Sequence, residues 1–192
     1  MDAAVKEAKA PKKAKPGASD NANKHTVSKI KKVGIIGAGQ MGNGIAHVIA
    51  LAGYDVVLND LKKEAVDRAL VTIEKNMTRQ VSKGMIADAD RDRAMKRIGY
   101  AADFNALGDC DLVIEAATED EAVKRRIFID LCPFLKKDAI LATNTSSISI
   151  TRLASTTDRP EHFIGMHFMN PVPLMELVEL IRGIATEDVT FG

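Results

Sequence analysis

The chain has no tryptophan, two cysteines, two tyrosines and only 4% aromatic residues. Cys110 and Cys132 make neither a metal-ligand spacing nor a disulfide framework, so no metal is expected and both read as buried free thiols suited to a reducing cytoplasm. No apolar run approaches the roughly 20 residues of a membrane-spanning helix. The N-terminus also lacks the apolar stretch of a secretory signal. Met1 to Lys32 contains no arginine and does carry acids, which argues against a mitochondrial presequence. What is present, 46% hydrophobic residues and a net charge of +1, fits a soluble globular protein with no membrane partner and a cytoplasmic location.

The charge is unevenly spread. Met1 to Lys32 holds nine lysines against Asp2, Glu7 and Asp20, so it is net +6 and the remainder net −5. Residues 1–29 are rich in Ala, Lys and Pro and show no apolar periodicity, the pattern of a disordered, solvated basic tail with no specific nucleic-acid partner. About 160 residues remain, enough for one core. Residues 30–185 are assigned to a single dinucleotide-binding domain.

Lys31 to Asp60 spells out a strand, a turn, a helix and a second strand. Val33 to Ile36 is a short β-branched run suited to a buried strand, and Gly37, Gly39 and Gly42 follow at the GxGxxG spacing. The first glycine permits the tight turn, the second lets backbone approach a pyrophosphate, and the third lets helix and strand pack closely. Met41, Ile45, Val48, Ile49 and Ala52 recur at helical spacing, so the amides around Ala38, Gln40 and Met41 open a helix toward the phosphates. Asp60 lies 21 residues beyond Gly39, where a carboxylate accepts from ribose hydroxyls and repels a 2′-phosphate. NAD is therefore expected rather than NADP, with Lys62 and Lys63 as the features that keep NADP open. The competing role for Asp60 is an N-cap for the following helix.

Further along, Val66, Leu70, Ile73, Met77 and Val81 mark one face of a long helix to Lys83, and Ala87 to Lys96 a shorter one. Strands are expected at Ile98–Tyr100, Leu112–Ala116, Ala139–Ala142, Phe163–Phe168 and Met175–Leu180. Val123, Ile127 and Leu131 give the core face of a helix that Pro133 ends, and Ile148–Ala154 forms a short helix. Strands alternating with helices imply an α/β, Rossmann-type, doubly wound and mostly parallel sheet with helices on both faces.

The second informative segment is GMHFMNPVPLMELVE, Gly165 to Glu179. Two strands running antiparallel about its proline turn bring His167 beside Glu179. A carboxylate there fixes the imidazole tautomer and stabilises the imidazolium formed in proton transfer. A histidine satisfied within the core and an ordinary strand-surface acid are the alternatives.

The fingerprint, NTSSISI at Asn144 to Ile150 and HFMNPVPLMELVE together resemble the 3-hydroxyacyl-CoA dehydrogenases, most closely the bacterial 3-hydroxybutyryl-CoA group, from about Ile30 onward. The resemblance implies that His167 is the catalytic histidine, Glu179 its carboxylate partner, and Ser146 the hydroxyl that bonds the substrate oxygen and contacts the cofactor. It implies that Asn170 lies near the nicotinamide, that Glu119 and Lys124 contact the cofactor, and that Asn76 and Lys83 touch coenzyme A, Asn76 standing where the compared form has Ser. Ser146 or Ser147 is also placed to cap the helix near Ile148, and Lys83 to meet a helix dipole. His25, His47 and His162 receive no role.

The implied reaction interconverts a short-chain 3-hydroxyacyl-CoA and its 3-ketoacyl-CoA with NAD(H), 3-hydroxybutyryl-CoA and acetoacetyl-CoA being the expected pair. The family continues as a helical domain of roughly a hundred residues, on the usual scale of a small domain, that carries the homodimer interface. Residues 186–192 are read as its start, with apolar surface expected around Leu177 to Ile184 and the dimer interface absent from this chain. The alternative is a noncatalytic NAD(H)-binding module.

Overall fold

A computed structural model describes residues 30–192; the expectation for residues 1–29 lies outside them. Seven strands form one sheet: β1 Lys32–Ile36, β2 Asp55–Asn59, β3 Ile98–Ala101, β4 Leu112–Glu115, β5 Ile140–Thr143, β6 Phe163–Phe168 and β7 Val178–Arg182. Their order is β3-β2-β1-β4-β5-β6-β7, parallel throughout except for β7, which runs antiparallel to β6. The order reverses at β1 and β4, so a crevice opens beyond their carboxyl ends, where doubly wound sheets bind ligands.

The helices are α1 Gln40–Leu51, α2 Lys63–Ser82, α3 Asp88–Lys96, α4 Glu121–Leu131, α5 Ile150–Ala154 and α6 Asp188–Phe191. On one face α1, α2 and α3 bury Ile45, Ala46, Val66, Ile73, Met77 and Ala94 against β1, β2 and β4. On the other, α4 and α5 bury Phe128, Leu131, Ile150 and Leu153 with Val113, Leu141 and Phe163. Burying a side chain the size of Ile73 or Phe128 contributes about 1.5–3 kcal/mol. The Phe128 and Phe163 rings meet edge to face with centroids 4.9 Å apart, locking α4 to β6. Among the described residues no helix is long and apolar enough to cross a membrane. Cys110 and Cys132 are free and buried, and burial pushes the Cys110 thiol up to about 11.

Three local readings are corrected. The inner face of α4 is Lys124, Phe128 and Leu131, while Val123 is 47% exposed, because a buried lysine occupies the position that periodicity gave to valine. The short helix starts at Ile150 with Ser149 as its cap, since Ser146 and Ser147 are bound elsewhere. β7 begins three residues later than expected, at Val178, because Leu174 and Met175 donate their amides back to Pro171 in a turn. Every residue of β7 is exposed, as are Leu177 and Ile184, so the apolar surface expected along this stretch is present.

Candidate functional site

The fingerprint end of the crevice is shaped by backbone. Gly37 has φ of 100° and donates its amide to the Asn59 carbonyl at 2.8 Å, turning the chain from β1 toward α1. A Cβ on Gly42 would fall 1.7 Å from the Gly37 carbonyl oxygen, so the start of α1 packs onto the turn only as glycine. A Cβ on Gly39 would meet nothing within 4 Å. That open space is on the cleft: Ala38, Gly39 and Gln40 line it with Asn43, Gly44, Asp60, Arg68, Thr72, Asn76 and Asn170. Gly37, Met41 and Gly42 lie behind the lining and shape it, with Met41 packed against the core. Gly44, unremarked in the sequence, matters because Val172 closes over it; a Cβ there would come within 2.8 Å.

The cleft holds about 640 Å³, within the range of cofactor sites. Asp60 stands at its edge. Its Oδ2 accepts the Ala38 amide at 2.9 Å and its Oδ1 the Lys62 amide at 3.1 Å, so this carboxylate joins the end of β2 to the turn after β1. It is not the cap of α2, whose first turn follows Lys62 without a side-chain cap. The start of α1 likewise has no side-chain cap and no acid in its first turn, leaving amides and a positive dipole end toward the cleft. The open face of Gly39, the uncapped amides and the Asp60 carboxylate at the end of β2 together fit a dinucleotide.

The other end of the crevice, beyond the residues that line this cleft, is built from side chains. His167 pairs in register with Glu179 across β6 and β7, and its Nδ1 lies 2.8 Å from Glu179 Oε2. That contact fixes one ring nitrogen and leaves Nε2 to exchange a proton. Ser146, three residues past the end of the neighbouring strand β5, is organised by Glu119. A single oxygen of that carboxylate, Oε1, accepts from Thr145 Oγ1 at 2.6 Å, Ser146 N at 2.9 Å, and the Ser146 and Ser147 hydroxyls at 3.1 Å each. Burial pushes the Glu119 carboxyl up, but these donors and the charge of Lys124 outweigh it and hold the group below the usual carboxylate range. Glu119 is therefore the brace of the serine loop.

Lys124 sits elsewhere than a ligand contact requires. It is wholly buried, with Nζ 2.6 Å from Glu115 Oε2 and 3.3 Å from both Thr143 Oγ1 and the Asn144 carbonyl oxygen. A direct contact with a bound dinucleotide is not part of this arrangement, because the ammonium already has three internal partners. Glu115, which completes the pair, also accepts the Ala117 amide and the Thr143 hydroxyl. Sequence reading missed it, since an acid closing an apolar strand is the sole signal it leaves.

Asn170 joins the two ends: its Oδ1 accepts from Gln40 Nε2 at 3.1 Å, and its peptide bond to Pro171 is cis. Asn76 and Lys83 come together with Arg79, Gln80, Met85 and Leu174 in a second cleft of about 260 Å³ along α2. Asn76, Pro171 and Pro173 line both clefts, so the two adjoin.

A family model described as 3-hydroxyacyl-CoA dehydrogenase, NAD binding domain, matches residues 32–192. The chain is 64% identical over 162 residues to a 3-hydroxybutyryl-CoA dehydrogenase of Bradyrhizobium diazoefficiens, covering 84% of this chain and 55% of that protein. A probable 3-hydroxybutyryl-CoA dehydrogenase of Deinococcus radiodurans is 51% identical, covering 83% of this chain and 57% of its own length. The crystal structure of an (S)-3-hydroxybutyryl-CoA dehydrogenase from Ralstonia eutropha superposes with a TM-score of 0.82 at 46% identity, over 84% of this chain and 57% of that one. The chain thus spans little more than half the length of these relatives.

Proposed function

The chain belongs to the 3-hydroxyacyl-CoA dehydrogenase NAD-binding domain family, and from that we propose that it binds NAD(H) in the cleft between Gly39, Asp60 and Asn170. The observation that carries this reading is the conjunction of an uncapped α1 start, an open Gly39 and Asp60 held 2.9 Å from the Ala38 amide. Asp60 favours NAD over NADP, because its carboxylate repels a 2′-phosphate.

A finer reading, favoured by the 2.8 Å contact of His167 with Glu179, is that the same cleft interconverts a short-chain 3-hydroxyacyl-CoA and a 3-ketoacyl-CoA. Bound NADH supplies the hydride for the reductive direction. His167 gives the proton on Nε2 to the 3-keto oxygen, and in the oxidative direction takes it from the 3-hydroxyl. Glu179 holds the imidazole through Nδ1 and stabilises its cationic form, while the Ser146 hydroxyl turns its single proton from Glu119 Oε1 to the same substrate oxygen. The pantetheine and nucleotide of coenzyme A lie along α2, against Asn76, Arg79 and Lys83. Acetoacetyl-CoA is the substrate put forward, because the relatives are 3-hydroxybutyryl-CoA dehydrogenases.

Titration with NADH, followed by addition of acetoacetyl-CoA with absorbance read at the nicotinamide band, tests both readings. Saturable NADH binding is expected. Its absence sinks the first reading, and binding with no oxidation of NADH sinks the second and leaves a binding module.

A further inference from the structure

We infer that Asn144 is a positioning residue that fixes the separation of His167 from Ser146; this rests on the reading of those two side chains as the proton-transfer pair. The parallel ladder between β5 and β6 stops at Thr143 and Gly165. β6 runs on through Met166, His167 and Phe168, and there only β7 pairs with it, at Leu180, Glu179 and Val178. β7 is exposed at every position and, among the described residues, has no strand beyond it. On the β5 side, one bond continues the ladder: the Phe168 amide donates to Asn144 Oδ1 at 2.9 Å.

Asn144 is itself immobilised from behind. Its amide donates to the Glu115 carbonyl at 2.8 Å, its carbonyl oxygen faces Lys124 Nζ at 3.3 Å, and it is 9% exposed. So one residue is joined by two peptide units to Ser146 and by one hydrogen bond to the residue after His167. A hydroxyl and an imidazole that must reach the same substrate oxygen need a fixed spacing, and misplacement by about 1 Å costs on the order of a hundredfold in rate. Glu179 sets the rotation of the imidazole. Asn144 sets where along the cleft the imidazole stands relative to the hydroxyl. The buried Lys124–Glu115 pair is then the footing of this strut, which explains why an ammonium is held inside the domain beside the reacting groups.

The test compares Asn144→Ala, which removes the acceptor, with Asn144→Asp, which keeps an acceptor oxygen in the same place. Backbone amide exchange at Phe168 is read by NMR, NADH binding by fluorescence, and turnover with acetoacetyl-CoA by absorbance. In Asn144→Ala the Phe168 amide should exchange as fast as an open loop, and turnover should fall by about tenfold or more with NADH affinity and the acetoacetyl-CoA KM unchanged. Asn144→Asp should restore both slow exchange and most of the rate. A merely structural role would lower NADH affinity and turnover together, and that result overturns the inference, as does full turnover in Asn144→Ala or no rescue by Asn144→Asp. If the unaltered chain binds NADH without turnover, the functional reading fails by itself; Phe168 exchange then decides the strut, and slow exchange in Asn144→Ala overturns it.

Discussion

At the β1–α1 end of the cleft the atoms offered to a ligand belong mainly to the backbone, whereas at the β5–β6–β7 end they belong to side chains. Three glycines and one carboxylate shape the first end, and its tolerance is set by how closely two stretches of main chain approach, down to 1.7 Å for a Cβ on Gly42. The second end depends on hydrogen bonds among residues far apart in sequence, with Glu119 reaching 27 positions forward to Ser146 and Asn144 reaching 24 to Phe168. The first end should therefore fail by steric exclusion. The second should fail by loss of order, one contact at a time.

The largest effect is expected from the buried ion pair beneath the second end. Lys124→Met leaves Glu115 charged in the interior, and removing one partner of such a pair costs about 3–5 kcal/mol. Urea unfolding monitored by circular dichroism measures it. The double variant Glu115→Leu with Lys124→Met should recover much of that loss, because matched apolar groups avoid the burial of a lone charge. A single variant as stable as the unaltered chain would show that Lys124 leaves its place readily, and the direct cofactor contact implied by family resemblance would return.

Next comes Gly42→Ala, with a loss of about 3 kcal/mol or more from overpacking and no measurable NADH binding. Gly39→Ala is its sharpest control. Its Cβ meets nothing within 4 Å, so the melting temperature should hold while NADH affinity falls. Equal damage from both variants would break the distinction between a glycine that packs and a glycine that faces ligand.

His167→Gln follows, with turnover lowered by roughly 100-fold and NADH affinity kept, because the two ends touch through Gln40 and Asn170 and not through the imidazole. Normal turnover in that variant would remove His167 from the proton transfer. Asp60→Ala is expected to weaken NADH by about tenfold, the scale of one charge-assisted hydrogen bond, and NADPH by less. Equal affinities for the two cofactors in the unaltered chain would count against the ribose role.

The sequence made the first end nearly transparent and the second only partly so, for a physical reason. A backbone-built site needs particular residue types at fixed local spacing, so Gly37, Gly39, Gly42 and Asp60 announce both the strand–turn–helix and its ligand. The His167–Glu179 pair was legible because a hairpin converts sequence distance into register, and β6 and β7 pair those two residues directly. Nothing comparable marks Glu115, Lys124 or Asn144, whose partners are set by the parallel order of β4, β5 and β6. A lysine inside α4 reads as surface by type, so the core place that Lys124 holds goes to Val123 on periodicity, while Leu131 is buried and Ile127 packs against the core as expected. Asn144 lay within a recognised segment, but its acceptor role depends on where β5 stops short of β6.

The smallest effect sharpens the comparison at the seam between α1 and α2, where His47 is 1% exposed and its Nε2 lies 2.9 Å from Gln80 Oε1, with Nδ1 buried and unpartnered. Burial lowers the His47 pKa from 6.5, and the bond to Gln80 opposes this without cancelling it. In the window just below pH 6.5 the unfolded chain therefore binds more protons than the folded one, and stability rises with pH there and levels off above it. Carboxylates do not confuse that window: Asp111, pushed up by burial but held down to about 2 by Lys136 and the Lys31 and Lys32 amides, titrates in far stronger acid. Thermal melts at half-unit steps between pH 5 and 8 should show this slope in the unaltered chain. His47→Leu should flatten it, whatever it does to stability at pH 7. Because α1 carries the fingerprint and Gln80 lines the cleft along α2, NADH affinity should weaken over the same window and do so less in His47→Leu. A slope that survives in His47→Leu would show that the group responsible lies elsewhere than the α1–α2 seam.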